Sequence, residues 1–171
     1  MESQEPISLA HIWECAANVA KRFNPDGEPQ SAFHDLGLTL YKAGEEFRYD
    51  CTPDNCRVFA TTQVDGCHWC LLELGGHEES ELPVVFVSPM DDPQHYIAGE
   101  NLRDFLELGL ASRSFDGLGD GLDEDCVDPE NEPLWEFLRS ELNLAERNDP
   151  LPHLTRLHEN YFKFLRIPED T

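Results

Sequence analysis

The sequence predicts a single α+β domain, and three observations predict it. Residues 56–88 hold three consecutive β-rich apolar runs separated by turn signals, the pattern of an antiparallel meander. Apolar stripes at helical spacing lie on both sides of that stretch. At 171 residues the chain is long enough for one good core and too short for two independent ones.

In chain order, residues 7–23 place Ile7, Ile12, Trp13, Ala16, Val19, Ala20 and Phe23 along one side of a helix, which Asn24-Pro25-Asp26-Gly27 ends. Residues 36–41 alternate well enough for a short strand. Phe47 and Tyr49 suit a second one, before Thr52-Pro53-Asp54-Asn55 turns the chain into the meander. Its runs cover 57–62, 68–74 and 83–88. Asp65-Gly66 supplies the positive φ of a tight turn, and the polar segment 75–81 is long enough to bring the chain back antiparallel. Tyr96-Ile97-Ala98 is a further extended piece. Residues 101–109 then form a helix with Leu102, Phe105, Leu106 and Leu110 on one face, and Gly109 is expected to stop it.

Residues 114–130, rich in Gly, Asp and Glu, read as a surface loop. Two helices close the chain. Pro133 stands early in the first, whose stripe is Leu134, Trp135, Leu138, Leu142 and Ala145. Asn148 or Asp149 caps the second, Leu154, Leu157, Tyr161 and Leu165 form its buried side, and Lys163 and Arg166 suit its negative end. The expected layout is one domain over 1–171, with its core over about 7–110 and the acidic loop and two helices over 111–171.

Thirty-five acidic residues stand against 12 basic ones, a formal charge of -23. That sign opposes nucleic-acid binding, which needs Lys and Arg against phosphate, and docking on an anionic membrane. It favours solubility and electrostatically steered association with a basic protein. The start, Met1-Glu2-Ser3-Gln4-Glu5, is acidic where a signal peptide is basic, and no apolar run reaches transmembrane length. A cytoplasmic protein is expected. Six cysteines fit free thiols in a reducing compartment better than a disulfide framework.

Few constellations carry chemistry. Cys51, Cys56, Cys67 and Cys70 have spacing that allows a tetrahedral zinc site, although one continuous strand over 67–74 sends Cys67 and Cys70 to opposite faces. Cys67-His68-Trp69-Cys70 has the redox Cys-x-x-Cys spacing, but lies in a strand pattern and not at a helix start. Asp116, Asp120 and Gly121 fit an EF-hand loop, yet Leu118 and Val127 occupy positions that need ligands. His34-Asp35 and His77-Glu78 are neighbours only along the chain. No serine or cysteine has the setting of an activated nucleophile, so no enzyme, catalytic residue or cofactor is expected. Trp13, Trp69 and Trp135 each fall in an apolar pattern and read as core.

The segments Phe59-Ala60-Thr61-Thr62, Asp65-Gly66-Cys67-His68, Pro83-Val84-Val85-Phe86 and Asn101-Leu102 to Phe105-Leu106, behind an N-terminal helix with a tryptophan, resemble the SUKH superfamily. That group includes Smi/Knr-type cell-wall synthesis regulators and many bacterial immunity proteins. The resemblance covers residues 52–110. It implies a curved, mostly antiparallel sheet flanked by helices, no catalytic residues, and a protein-binding role, either neutralising a toxin (a basic nuclease among the candidates) or regulating. It assigns no contact residues. The candidates are exposed acids in turns: Asp65, Glu78, Glu79, Glu81, Asp91, Asp92, Asp120, Asp123, Glu124 and Asp125. A zinc-stabilised regulatory module built on the four cysteines is the alternative.

Overall fold

Five strands hydrogen-bond in sequence order, each antiparallel to the next, in the computed structural model, which describes residues 4–118 and 127–169. They are β1 (Thr39–Leu40), β2 (Cys56–Thr61), β3 (His68–Leu72), β4 (Val84–Val87) and β5 (His95–Gly99). Four α-helices accompany them among the described residues: α1 (Leu9–Phe23), α2 (Leu102–Ser112), α3 (Glu132–Glu141) and α4 (Pro150–Tyr161). The fold is therefore α+β around one hydrophobic core. No helix among the described residues is long and apolar enough to cross a membrane.

All five residues of the central strand β3 are buried, so both faces of the sheet are covered. Alternation sends Trp69 and Leu71 to one face and His68, Cys70 and Leu72 to the other. On the Trp69 face, rings run through the core from Trp69 to Phe105 on α2, then Phe115, then Trp135 on α3, with centroid spacings of 4.9, 4.8 and 5.2 Å. On the His68 face the cover is a loop: Tyr49 stacks on His68 at 5.5 Å, and Thr52 bonds its ring. The Asp65-Gly66 turn has the expected positive φ, 48° and 77°.

Several expectations are corrected. Phe47 and Tyr49 are not in a strand; they lie in the exposed connection between β1 and β2, where the guanidinium of Arg48 between them bonds the carbonyls of Cys56 and Pro53 in place of a strand partner. Gly109 does not stop α2. The helix runs on to Ser112 and ends at Arg113, φ 54°, while Gly109 makes room for the Phe115 ring, whose Cε1 would stand 2.3 Å from a Cβ there. Residues 114–118 are not a surface loop, since Ser114, Phe115 and Leu118 are buried and Phe115 N–H donates to the Leu36 carbonyl at 2.9 Å. α3 ends before Leu142 and Ala145. Lys163 and Arg166 lie beyond α4, past which Phe162–Phe164 forms a 3-10 turn. The first strand shrinks to two residues because His34–Leu36 coils into a 3-10 turn closed by Gly37 at φ 84°.

Candidate functional site

In a meander the β2–β3 and β4–β5 turns leave the same end of the sheet. Here a third segment, the long β1–β2 connection, folds onto that end as well. The ring of Tyr49 lies against the Gly66 turn, so closely that a Cβ on Gly66 would stand 2.6 Å from Tyr49 Cζ. Phe47 meets Tyr49 edge-on, with ring centroids 4.8 Å apart.

Hydrogen bonds, part-buried apart from the buried one between Thr52 and His68, fix these loops to the sheet and to each other. His68 Nδ1–H donates to the Gly66 carbonyl at 2.7 Å, which leaves Nε2 to accept from the Thr52 hydroxyl at 2.9 Å. Thr52 Oγ1 in turn accepts from the Tyr49 N–H at 3.0 Å. His95 Nε2–H donates to the Cys51 carbonyl at 2.7 Å, tying the same loop to the start of β5. Cys67 Sγ meets Ser88 Oγ at 3.3 Å, and Ser88 donates to Asp91, which joins the β2–β3 turn to the β4–β5 turn.

What the three loops expose is a mixture of large apolar and acidic side chains. Phe47 is 57% exposed, Tyr49 38%, Val64 57% and Met90 79%. Segments 42–55, 62–67 and 88–94 carry seven acidic residues (Glu45, Glu46, Asp50, Asp54, Asp65, Asp91, Asp92) against Lys42 and Arg48, a net of −5. Both cations are engaged: Lys42 pairs with Glu28 at 2.9 Å, and Arg48 donates to backbone carbonyls. Burial pushes the Cys67 thiol pKa up, and the carboxylates of Asp91, Asp116 and Asp65 push it further while its Ser88 contact opposes them. An open pocket of about 690 Å³ borders this end, with Asp50, Asp54 and Glu169 among its walls.

An arrangement of this kind is suited to protein recognition. Burying one such apolar side chain is worth about 1.5–3 kcal/mol, whereas a surface ion pair contributes roughly 0–1 kcal/mol.

The acids singled out from sequence do not form one group. Asp65, Asp91 and Asp92 stand at this end. Glu78, Glu79 and Glu81 stand at the opposite end, in the β3–β4 connection, and are largely engaged there. Glu81 accepts from Glu78 N–H at 3.0 Å in a reciprocal cap, and Glu79 accepts from Leu9 N–H at 2.9 Å and pairs with Arg57 at 3.0 Å. Asp120, Asp123, Glu124 and Asp125 lie outside the described residues, as does most of the loop read as a calcium site. Sequence reasoning missed Phe47, Tyr49, Val64 and Met90 as a surface. The available signal was their setting, since each stands among turn residues and charges and not within a longer apolar run.

The four cysteines do not form a metal cage. Among the described residues no group of three or more His, Cys, Asp or Glu side chains is placed to hold an ion. Cys56 and Cys70 are buried within the sheet, and burial raises the Cys56 thiol to about 12 and the Cys70 thiol well above its ordinary range. Cys51 and Cys67 are half-buried in the loops, Cys67 just before β3 begins.

A second polar cluster joins α2 to the C-terminal helices. Asp104, buried on α2, is salt-bridged to Arg147, accepts from His153 Nε2–H at 2.8 Å and accepts from Glu100 N–H at 2.8 Å. Glu107, also buried, accepts from Ala145 N–H at 3.1 Å and lies 3.6 Å from Arg147. His153 ties α4 to α2, Arg147 and Ala145 tie the α3–α4 connection to it, and Glu100 N–H closes the start of α2 itself, a structural use of charge. Ser8 and His11, 3.0 Å apart, form a local cap on α1.

No family model, curated protein or solved structure matches the chain.

Proposed function

We propose that the chain is a non-enzymatic, acidic protein-binding domain of the SUKH type, acting on a basic protein partner either as an immunity protein against a toxin or as a Smi/Knr-like regulator. The supporting observation is how the molecule uses its charges. At least six of the twelve Lys and Arg residues engage carboxylates of the same chain, namely Lys42, Arg57, Arg103, Arg113, Arg139 and Arg147. Arg48 is taken up by backbone carbonyls. Each such pair cancels one cation against one carboxylate, so the acids without a pair outnumber the cations without one by a larger ratio than 35 to 12. Such an excess raises encounter rates with a basic protein by roughly 10–1000-fold and repels polyanions.

Capture with the tagged chain at two salt concentrations tests this. Raising salt from about 0.1 M to about 1 M shortens the screening length from ~10 to ~3 Å. The expected partner is a basic protein, identified by mass spectrometry, whose association slows sharply in high salt. A partner of acidic composition, or one whose association rate ignores salt, contradicts the proposal.

A further inference from the structure

We infer that the three-loop end of the sheet is the docking surface, and that it takes a partner segment in which lysines or arginines flank aliphatic or aromatic side chains. The inference rests on the protein-binding reading above and gives it a place and a partner chemistry.

Four large apolar side chains, Phe47, Tyr49, Val64 and Met90, come from three separate stretches of sequence and reach solvent at one end. Single exposed apolar residues need no explanation, whereas several brought from separate loops to one end of a sheet, among charged residues, mark an interaction site. The group is held in place before any partner arrives. Thr52 on His68, Cys51 on His95 and Cys67 on Ser88 fix the loops, so little ordering remains to oppose binding.

The charge at this end selects the occupant. Lys42 is paired with Glu28 and Arg48 is held by backbone carbonyls, and Asp65, Asp91 and Asp92 are exposed with no ion pair among the described residues. A nucleic acid or an anionic membrane is repelled there, and a second copy of this chain meets its own sign. The opposite end is also acidic, but its residues 73–83 carry no large exposed apolar side chain, and Glu73 and Glu79 pair with Arg57. Phe164, 46% exposed, reaches that end through its carbonyl's bond from Asn55, but it stands there alone, whereas three loops bring four such side chains to the other end.

The test uses the full chain, isotope-labelled for amide NMR, titrated with a synthetic peptide of alternating Lys and Leu and with an all-Lys peptide of equal length. The inference predicts saturable binding of the Lys-Leu peptide, with shifts confined to residues 46–50, 64–66 and 90–92. Binding weakens by about tenfold or more in a Val64→Ser, Met90→Ser double variant whose spectrum otherwise matches the parent. Shifts centred on 73–81, equal binding of both peptides, or unchanged affinity of the double variant overturns the docking surface and leaves the acidic-binder reading standing. Absence of salt-sensitive binding by either peptide overturns that reading as well.

Discussion

The Tyr49 ring rests on the backbone of Gly66, and this one contact binds the β1–β2 connection to the β2–β3 turn. Gly66 has φ +77°, so a side chain there meets two penalties, the left-handed backbone and the ring 2.6 Å away. Gly44, at φ +86° with open space around it, meets only the first. Gly44→Ala should therefore cost about 1–2 kcal/mol in a denaturant titration. Gly66→Ala should cost more and should also shift the amide resonances of residues 47–50. Equal losses in the two variants would show that the ring is not seated on the turn.

The imidazole of His68 sets a pH limit on the same loops. Burial, chiefly, lowers its pKa below 6.5, and the Arg48 and His95 charges add to that effect while its bond to the Gly66 carbonyl opposes it. The folded state thus holds this proton less tightly than the unfolded chain does. The neutral ring's contribution is complete above the unfolded pKa and is lost as pH falls through 6.5 toward the lower folded value. Protonation also turns Nε2 into a donor, so the Thr52 hydroxyl can no longer donate to it. The difference in unfolding free energy between parent and His68→Gln should shrink between about pH 7 and pH 5. A difference that is flat across that range contradicts the assignment.

Asp104 is the hinge of the second cluster, since its carboxylate takes bonds from Arg147, His153 and the Glu100 N–H at once. Asp104→Ala should cost about 3 kcal/mol, at the lower end for a broken buried pair because Arg147 is partly exposed and keeps water as a partner. Arg147→Ala should cost less than Asp104→Ala, as His153 and Glu100 N–H still meet the carboxylate. The reverse order, measured by thermal or denaturant unfolding, would mean the carboxylate is not the shared centre.

The thiols should react in a fixed order. Cys15, Cys56 and Cys70 are buried, with Cys15 and Cys56 raised to about 12, while Cys51 and Cys67 are half-buried and raised chiefly by burial. In a Cys126→Ser background, mass spectrometry of timed alkylation should find Cys51 and Cys67 modified first, and the other three only on unfolding. Early modification of Cys70 contradicts the placement of β3 at the centre of the sheet.

The meander was readable because its information is local. Alternating β-formers set the faces of β3, and Asp65-Gly66 set the turn. The apolar end was missed because the strand-like spacing of Phe47 and Tyr49 outweighed their polar setting, and they leave a strand only through contacts the spacing does not show, Arg48 on the carbonyls of Cys56 and Pro53 and Tyr49 on Gly66. Gly109 misled for a related reason. A glycine late in a helix usually marks its end, but this one is small so that Phe115 fits. Leu142 and Ala145 keep helical spacing, yet the chain turns at Asn143, φ 49°. Among the candidate acids, composition gave the sign and not the grouping. The Glu78–Glu81 cap does have a sequence signature, two acids three apart at the start of a turn.

Photocrosslinking from the two ends of the sheet tests the central claim most directly. A photoreactive residue is placed at Val64 in one variant and at His77 in another, both exposed, and each full-length chain is irradiated in its native cells. The account predicts an adduct with a basic protein from position 64, weakened when Met90→Ser is added, and none from position 77. An adduct from position 77 alone, or an acidic partner at position 64, would contradict it.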